Sequence, residues 1–226
     1  MCYRTGMKRI VTLMLAAAGL LLAPAASQAR GERPGLFDYY VLSLSWSPSF
    51  CLGKAGRRAR GQCAPGARKG FVLHGLWPQF RRGWPSECRG ARRFVPDAAI
   101  RDVLDVMPGK GLVIHEWRKH GTCSGLSARA YFGLAEKLFR KIAIPKAYRQ
   151  PDSPLVRSPR RIAQDFARAN PGMTAEMFAP VCRGRGGRAR LVEIRVCFTP
   201  TGHPSRCGVN ERGQCRARQA ILPPAR

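Results

Sequence analysis

The chain has 226 residues, with 40 Lys plus Arg against 13 Asp plus Glu and a formal net charge of +27. That length suits one domain with a sizeable core, and no repeat, heptad pattern or long low-complexity linker points to a second. So large a surplus implies a polyanionic partner, nucleic acid or an anionic membrane face, but it names no activity, because runs such as Arg57-Arg58-Ala59-Arg60 and Arg183-Gly184-Arg185-Gly186 also read as solvated loop.

Residues 1–29 read as a secretory leader. Lys8 and Arg9 form a basic start, Ile10 to Ala23 an uncharged apolar run, and Ser27-Gln28-Ala29 a small-x-small cleavage site. Met7 offers a second possible start, since Met-Lys-Arg suits such a leader better than Met1-Cys2. The run is too short for a membrane anchor. A single domain over 30–226 is therefore expected in the periplasm or outside the cell.

Phe37 to Trp46 is aromatic and branched and predicts a buried strand. Gly53 to Lys69 reads as loop, and Gly70 to Leu73 as a short strand ending at His74-Gly75. Arg81 to Arg93 is loop again. Asp97 to Met107 carries Ile100, Val103, Leu104 and Met107 at helical spacing before Pro108-Gly109. Leu112 to Gly121 predicts a helix. Ser127 to Ile144 predicts another, with Ser127 as its cap and Tyr131, Leu134, Ala135, Leu138 and Ile142 on one face. Pro159 to Ala169 predicts a shorter helix, and Leu191 to Phe198 alternates as a strand. Helices and strands without regular alternation predict an α+β domain, a central antiparallel sheet flanked by helices.

Nine cysteines occur, of which Cys2 lies in the leader. The remaining Cys51, Cys63, Cys88, Cys123, Cys182, Cys197, Cys207 and Cys215 are even in number, which behind a leader predicts disulfide staples formed in an oxidising compartment. No Cys-x-x-Cys pair suggests structural zinc.

Three of the four histidines fall in two segments, Phe71-Val72-Leu73-His74-Gly75-Leu76-Trp77-Pro78 and His115-Glu116-Trp117-Arg118-Lys119-His120-Gly121-Thr122-Cys123. On a helix Glu116 and His120 are i,i+4 neighbours, as are His115 and Lys119, so a carboxylate would stand beside one imidazole and a cation beside another. RNA cleavage by the substrate's own 2′-hydroxyl needs such a set: a base, an acid and cations around the phosphate. Imidazole suits the first two because it titrates near neutrality. A His-Glu-x-x-His zinc site fails by one residue, because Lys119 stands where the second ligand would be. No metal and no cofactor is expected.

The two segments resemble the paired active-site motifs of the ribonuclease T2 family, in that family's order and about forty residues apart. Ser45-Trp46-Ser47-Pro48-Ser49-Phe50-Cys51 and Glu193-Ile194-Arg195-Val196-Cys197 add to the resemblance, which spans nearly the whole chain beyond the leader. It implies a monomeric endonuclease acting on single-stranded RNA through a 2′,3′-cyclic phosphate. His74 and His120 would be the acid–base pair, Glu116 and Lys119 would stabilise the transition state and tune His120, and His115 would hold the phosphate. Trp77 would stack on a base, or else be a core aromatic beside Pro78. Where many members carry Asp after Trp-Pro, this chain has Gln79, and an amide that both donates and accepts predicts relaxed base choice. The resemblance also implies the pairs Cys51–Cys63, Cys88–Cys123, Cys182–Cys215 and Cys197–Cys207. A cationic secreted RNA-binding protein without catalysis is the alternative. It would shift RNA without shortening it.

Overall fold

The computed structural model describes Met1 and residues 33–225. Apart from Met1, the expected leader lies outside the described residues. β1 (Tyr39–Trp46) runs directly into the short α1 (Ser47–Cys51), and α2 (Arg60–Cys63) follows within what reads as loop. β2 (Phe71–Gln79), α3 (Asp97–Val103), α4 (Lys110–Lys119) and α5 (Ala128–Lys141) complete the first half. β3 (Leu155–Arg157), α6 (Pro159–Ala169), β4 (Phe178–Arg183), β5 (Arg190–Phe198) and β6 (Ala220–Leu222) make the second. The six-stranded sheet runs β2-β1-β5-β6-β3, with β4 also paired to β5. Its pairs are antiparallel except for a parallel bridge between Arg190 and Ile221, so this is the expected α+β domain with a slightly mixed sheet.

Alternation along the strands divides the sheet into two faces. Tyr40, Leu42, Leu44 and Trp46 of β1 and Ile194, Val196 and Phe198 of β5 point into the main core, where Val103, Tyr131, Leu138, Ile162 and Phe166 of the helices cover them. The opposite face carries a small cluster of Tyr39, Val41, Trp77 and Cys197. Ser127 and Ser158 cap α5 and α6, each accepting the N–H three residues on.

β2 departs most from expectation. It does not end at Leu73 but continues through Gly75 and Pro78 to Gln79. Being outermost in the sheet, it leaves the ring of Pro78 no ladder bond to break on its far side. Its pairing with β1 slips by one residue: Ser43 faces Gly75, Leu44 faces Leu73, and His74 is the extra residue of a bulge. The slip resets the alternation. Leu73 and Leu76 both enter the core although they are three apart, which leaves His74, Trp77 and Gln79 for the other face. α3 also stops earlier than expected, at Val103, because the Val106 carbonyl accepts the Leu73 N–H of β2 instead of extending the helix.

Disulfides join Cys51 to Cys63, Cys88 to Cys123, Cys182 to Cys215 and Cys197 to Cys207, the same pairs that the resemblance implies. The second ties the loop before α3 to the turn after α4. The last two bracket the segment 207–215. Among the described residues no helix is long and apolar enough to cross a membrane.

Opening the Cys88–Cys123 bridge, which spans 35 residues, frees the unfolded chain most. Replacing both cysteines by Ala is expected to lower the unfolding free energy by about 4 kcal/mol on a chain-entropy account. An unchanged urea midpoint would contradict this.

Candidate active site

α4, whose Val113 and Trp117 pack into the main core, lies against β2 and brings its acidic residue onto the strand. Glu116 is only 1 % exposed, and its Oε2 accepts the Trp77 indole N–H at 2.7 Å. Its Oε1 lies 3.6 Å from His74 Nε2. The approach depends on Gly75, since a Cβ there would overlap both Glu116 Oε2 and Trp77 Nε1. Burial lifts the Glu116 pKa to about 6, against the pull of His74, the indole N–H and Lys119.

His74 has a second carboxylate on its other side. Its Nδ1 lies 3.0 Å from Glu193 Oε1 of β5, and Glu193 Oε2 accepts the Arg195 Nε–H at 3.2 Å. Burial works against charge on this imidazole. The bond to Glu193 and the charges of Glu116 and Glu193 outweigh it and hold the His74 pKa above its usual value. Burial opposes ionisation of Glu193 too, but His74 and Arg195 keep its carboxyl below the usual range.

His120 is the opposite case. α4 ends at Lys119, and His120 turns out of the helix with φ −120° while its N–H still bonds the Glu116 carbonyl. The helical pairing expected from the spacing therefore fails: the Glu116 carboxylate goes to Trp77 and His74, not to His120. The His120 Nδ1 is buried and has no hydrogen-bond partner. Burial, then the positive charge of Lys119, pushes its pKa down to about 3. The Trp77 ring sits between the two imidazoles, 5.3 Å centroid to centroid from each.

These groups share one cavity of about 500 Å³, lined by His74, Trp77, Gln79, His115, Glu116, Lys119 and His120. All seven expected site residues, six from the two motif segments and Gln79 just beyond the first, thus come together. Four lining residues were not foreseen as site residues: Trp84, Asn210, Glu211 and Gln214. Arg195 lines it as well, and it and Glu193 entered only as part of a motif. Their places on the polar side of the alternating β5 were the one signal available. Trp84 is 58 % exposed at the cavity wall. Trp77, at 9 %, is enclosed by His74, His120 and the Arg195 guanidinium, whose Cζ stands 5.0 Å from the ring centroid. Gln79 is buried, and its Oε1 accepts from Asn210 Nδ2 at 3.2 Å. The contact orients the amide, with one lone pair of Oε1 given to Asn210. Glu211, also buried, accepts the Tyr39 hydroxyl at 2.6 Å.

The Ribonuclease T2 family profile matches residues 37–207. A ribonuclease of Aeromonas hydrophila is 40% identical over 204 residues, covering 87% of this chain and 86% of its own. Ribonuclease I of Escherichia coli is 25% identical over 232 residues, covering 79% and 87%. Among solved structures, an RNase-related protein from Calystegia sepium superposes with a TM-score of 0.65 at 21% identity, over 84% of this chain and 98% of that one. A mutant of RNase MC1, solved in complex with 5′-UMP, gives 0.64 at 24% over 81% and 97%. These two establish likeness of fold.

Gly75→Ala is expected to force Glu116 and Trp77 apart and to cost about 1–3 kcal/mol, the usual range for an overpacked site. Urea unfolding together with the near-ultraviolet circular dichroism of the indoles checks this. An unchanged midpoint and spectrum would show that the close approach is not needed.

Proposed function

The chain belongs to the ribonuclease T2 family and is an RNA endonuclease, and from that premise we propose that it cuts single-stranded RNA by transphosphorylation, without a metal, with His120 as base and His74 as acid. The observation that carries the assignment is the unequal environment of two imidazoles in one cavity. His74 lies between two carboxylates, which favours its protonated form. Burial and the charge of Lys119 keep His120 neutral, its one proton on the buried Nδ1 and the lone pair on Nε2. Acid–base catalysis by a pair requires such opposite states.

In the first step His120 takes the proton of the 2′-hydroxyl, and O2′ attacks phosphorus. Its buried Nδ1 leaves Nε2 as the nitrogen able to act. As the bond from phosphorus to O5′ breaks, His74 gives its Nε2 proton to O5′, leaving a 2′,3′-cyclic phosphate and a free 5′-hydroxyl. The nucleophile is the substrate's own hydroxyl, so no metal-bound water is needed. Lys119 supplies positive charge to the phosphate oxygens, and His115 offers a ring N–H to hold them. Glu116 orients Trp77 and holds His74, and in this arrangement Trp77 is a positioning residue. Trp84 is the better platform for a base, because its ring is open to the cavity. Water then opens the cyclic phosphate more slowly with the two histidines in reversed roles. The proposal includes a cleaved leader over 1–29 and a monomeric catalytic domain over 30–226 working in the periplasm or outside the cell. Four disulfides suit that setting.

His74→Ala and His120→Ala are each expected to lower kcat/KM by about 10²–10⁴, and the double variant to lose less than the product. Wild type should cut RNA in excess EDTA and leave DNA intact. Its pH–rate curve should fall on the alkaline side above the usual imidazole value, as His74 loses its proton. It should fall on the acid side only well below that value, as His120 gains one. Activity abolished by EDTA, DNA cut as fast as RNA, or either Ala variant as active as wild type would refute the proposal.

A further inference from the structure

Arg195 has no part in the acid–base assignment, yet it stands inside the cavity. On β5 it is flanked by Ser43 of β1 and Ala179 of β4, whose short side chains leave it room. Two contacts immobilise it. Its Nε–H donates to Glu193 Oε2 at 3.2 Å, and its guanidinium plane lies over the Trp77 ring with Cζ 5.0 Å from the centroid. The side chain is 21 % exposed, and it lines the cavity with His74, His115, Lys119 and His120. Among the described residues no hydrogen bond is made by Nη1 or Nη2. An arginine fixed at Nε and across its face, with its terminal edge unoccupied in a cavity of imidazoles and a lysine, is arranged for a phosphate oxygen.

We propose that Arg195 is a catalytic phosphate ligand, its Nη edge holding a non-bridging oxygen of the scissile phosphate while Glu193 and Trp77 keep the guanidinium in place. The proposal rests on the ribonuclease reading above and adds a residue to it. Glu193 then serves two partners, taking the Nδ1 proton side of His74 with one oxygen and Arg195 with the other. The bridge fixes the distance between the group that protonates the leaving oxygen and the group that binds the phosphate. It also explains how a carboxylate so close to a polyanionic substrate stays ionised, since His74 and Arg195 both favour its charge. The charged and titratable groups facing His74 are Glu116, Lys119 and His120 from α4 and its end, and Glu193 and Arg195 from β5.

The competing role for Arg195 is that of an anchor for Glu193 that never meets substrate. Inorganic phosphate, used as an inhibitor of RNA cleavage by the purified protein, separates the two. Arg195→Gln is expected to raise the phosphate inhibition constant about tenfold or more and to lower kcat/KM by about 10²–10³. Arg195→Lys should fall between, since an ammonium keeps the charge without the fork. Glu193→Gln keeps an amide oxygen able to accept the Arg195 Nε–H and leaves the guanidinium on Trp77, so its phosphate constant should stay within about threefold of wild type while the loss of the carboxylate charge moves its alkaline limb to lower pH. A phosphate constant for Arg195→Gln within about twofold of wild type would overturn the proposal. Should that variant fail to fold by circular dichroism, Arg195→Lys decides on the same measure. A His74→Ala protein as active as wild type would sink the acid–base reading instead, and the phosphate comparison would still judge Arg195.

Discussion

A carboxylate excluded from water is unfavourable unless its neighbours replace the lost hydration, and this structure is organised around one such group. Glu116 is compensated by the Trp77 N–H, by His74 and by the charge of Lys119. Each compensation also sets a part of the cavity. The indole bond holds the Trp77 plane, which separates the two imidazoles and supports Arg195. The charge near His74 Nε2 helps keep that ring protonated. The approach of α4 follows from the same contact, because Glu116 can reach the strand only over a residue without a side chain. An apolar residue at 116 could dock the helix, but the tilt of the indole would then be undefined and His74 would keep Glu193 as its one carboxylate partner.

The second constraint is parity. A regular strand sends alternate residues to one face, so a residue and its third neighbour point in opposite directions. His74 and Trp77 are three apart and both line the cavity, while Leu73 and Leu76 both enter the core. The bulge at His74 satisfies the two demands at once. It works on an outermost strand, where a slipped residue leaves no second neighbour unpaired, and there Pro78 is tolerated for the same reason.

That arrangement explains what the sequence could and could not convey. Helices with strong apolar periodicity, α5 and α6, were legible almost to the residue, as were β1 and β5. β2 read as ending at Leu73 because Gly75 and Pro78 are normally strand breakers. Their tolerance comes from sheet position, which no local pattern contains. β4 was missed because Pro180 interrupts its text, and β3 and β6 because three residues show no period. The seven residues singled out line one cavity, yet their partners were not legible. Spacing on a helix paired Glu116 with His120, whereas the fold gave Glu116 to His74 in the other motif segment. The His74–Glu193 contact spans 119 positions, and Asn210 reaches Gln79 across 131. Such contacts follow from sheet order and from the bridges that pin the segment 207–215, neither of which is written locally.

The charge balance has a consequence for the site itself. A chain of net charge +27 attracts polyanions. The same field disfavours protonated imidazole and, unopposed, would leave both histidines neutral. His120 is neutral first because it is buried, and Lys119, His74, His115 and Arg195 add to the effect. An enzyme that needs one proton donor within such a field must create a local exception. Glu116 and Glu193, two of only 13 acidic residues, make it on opposite edges of the His74 ring. The positive charge and the buried acids are thus complementary: the first concentrates RNA at the protein, and the second preserves, within that positive field, one protonated imidazole, the proton donor of the proposed mechanism.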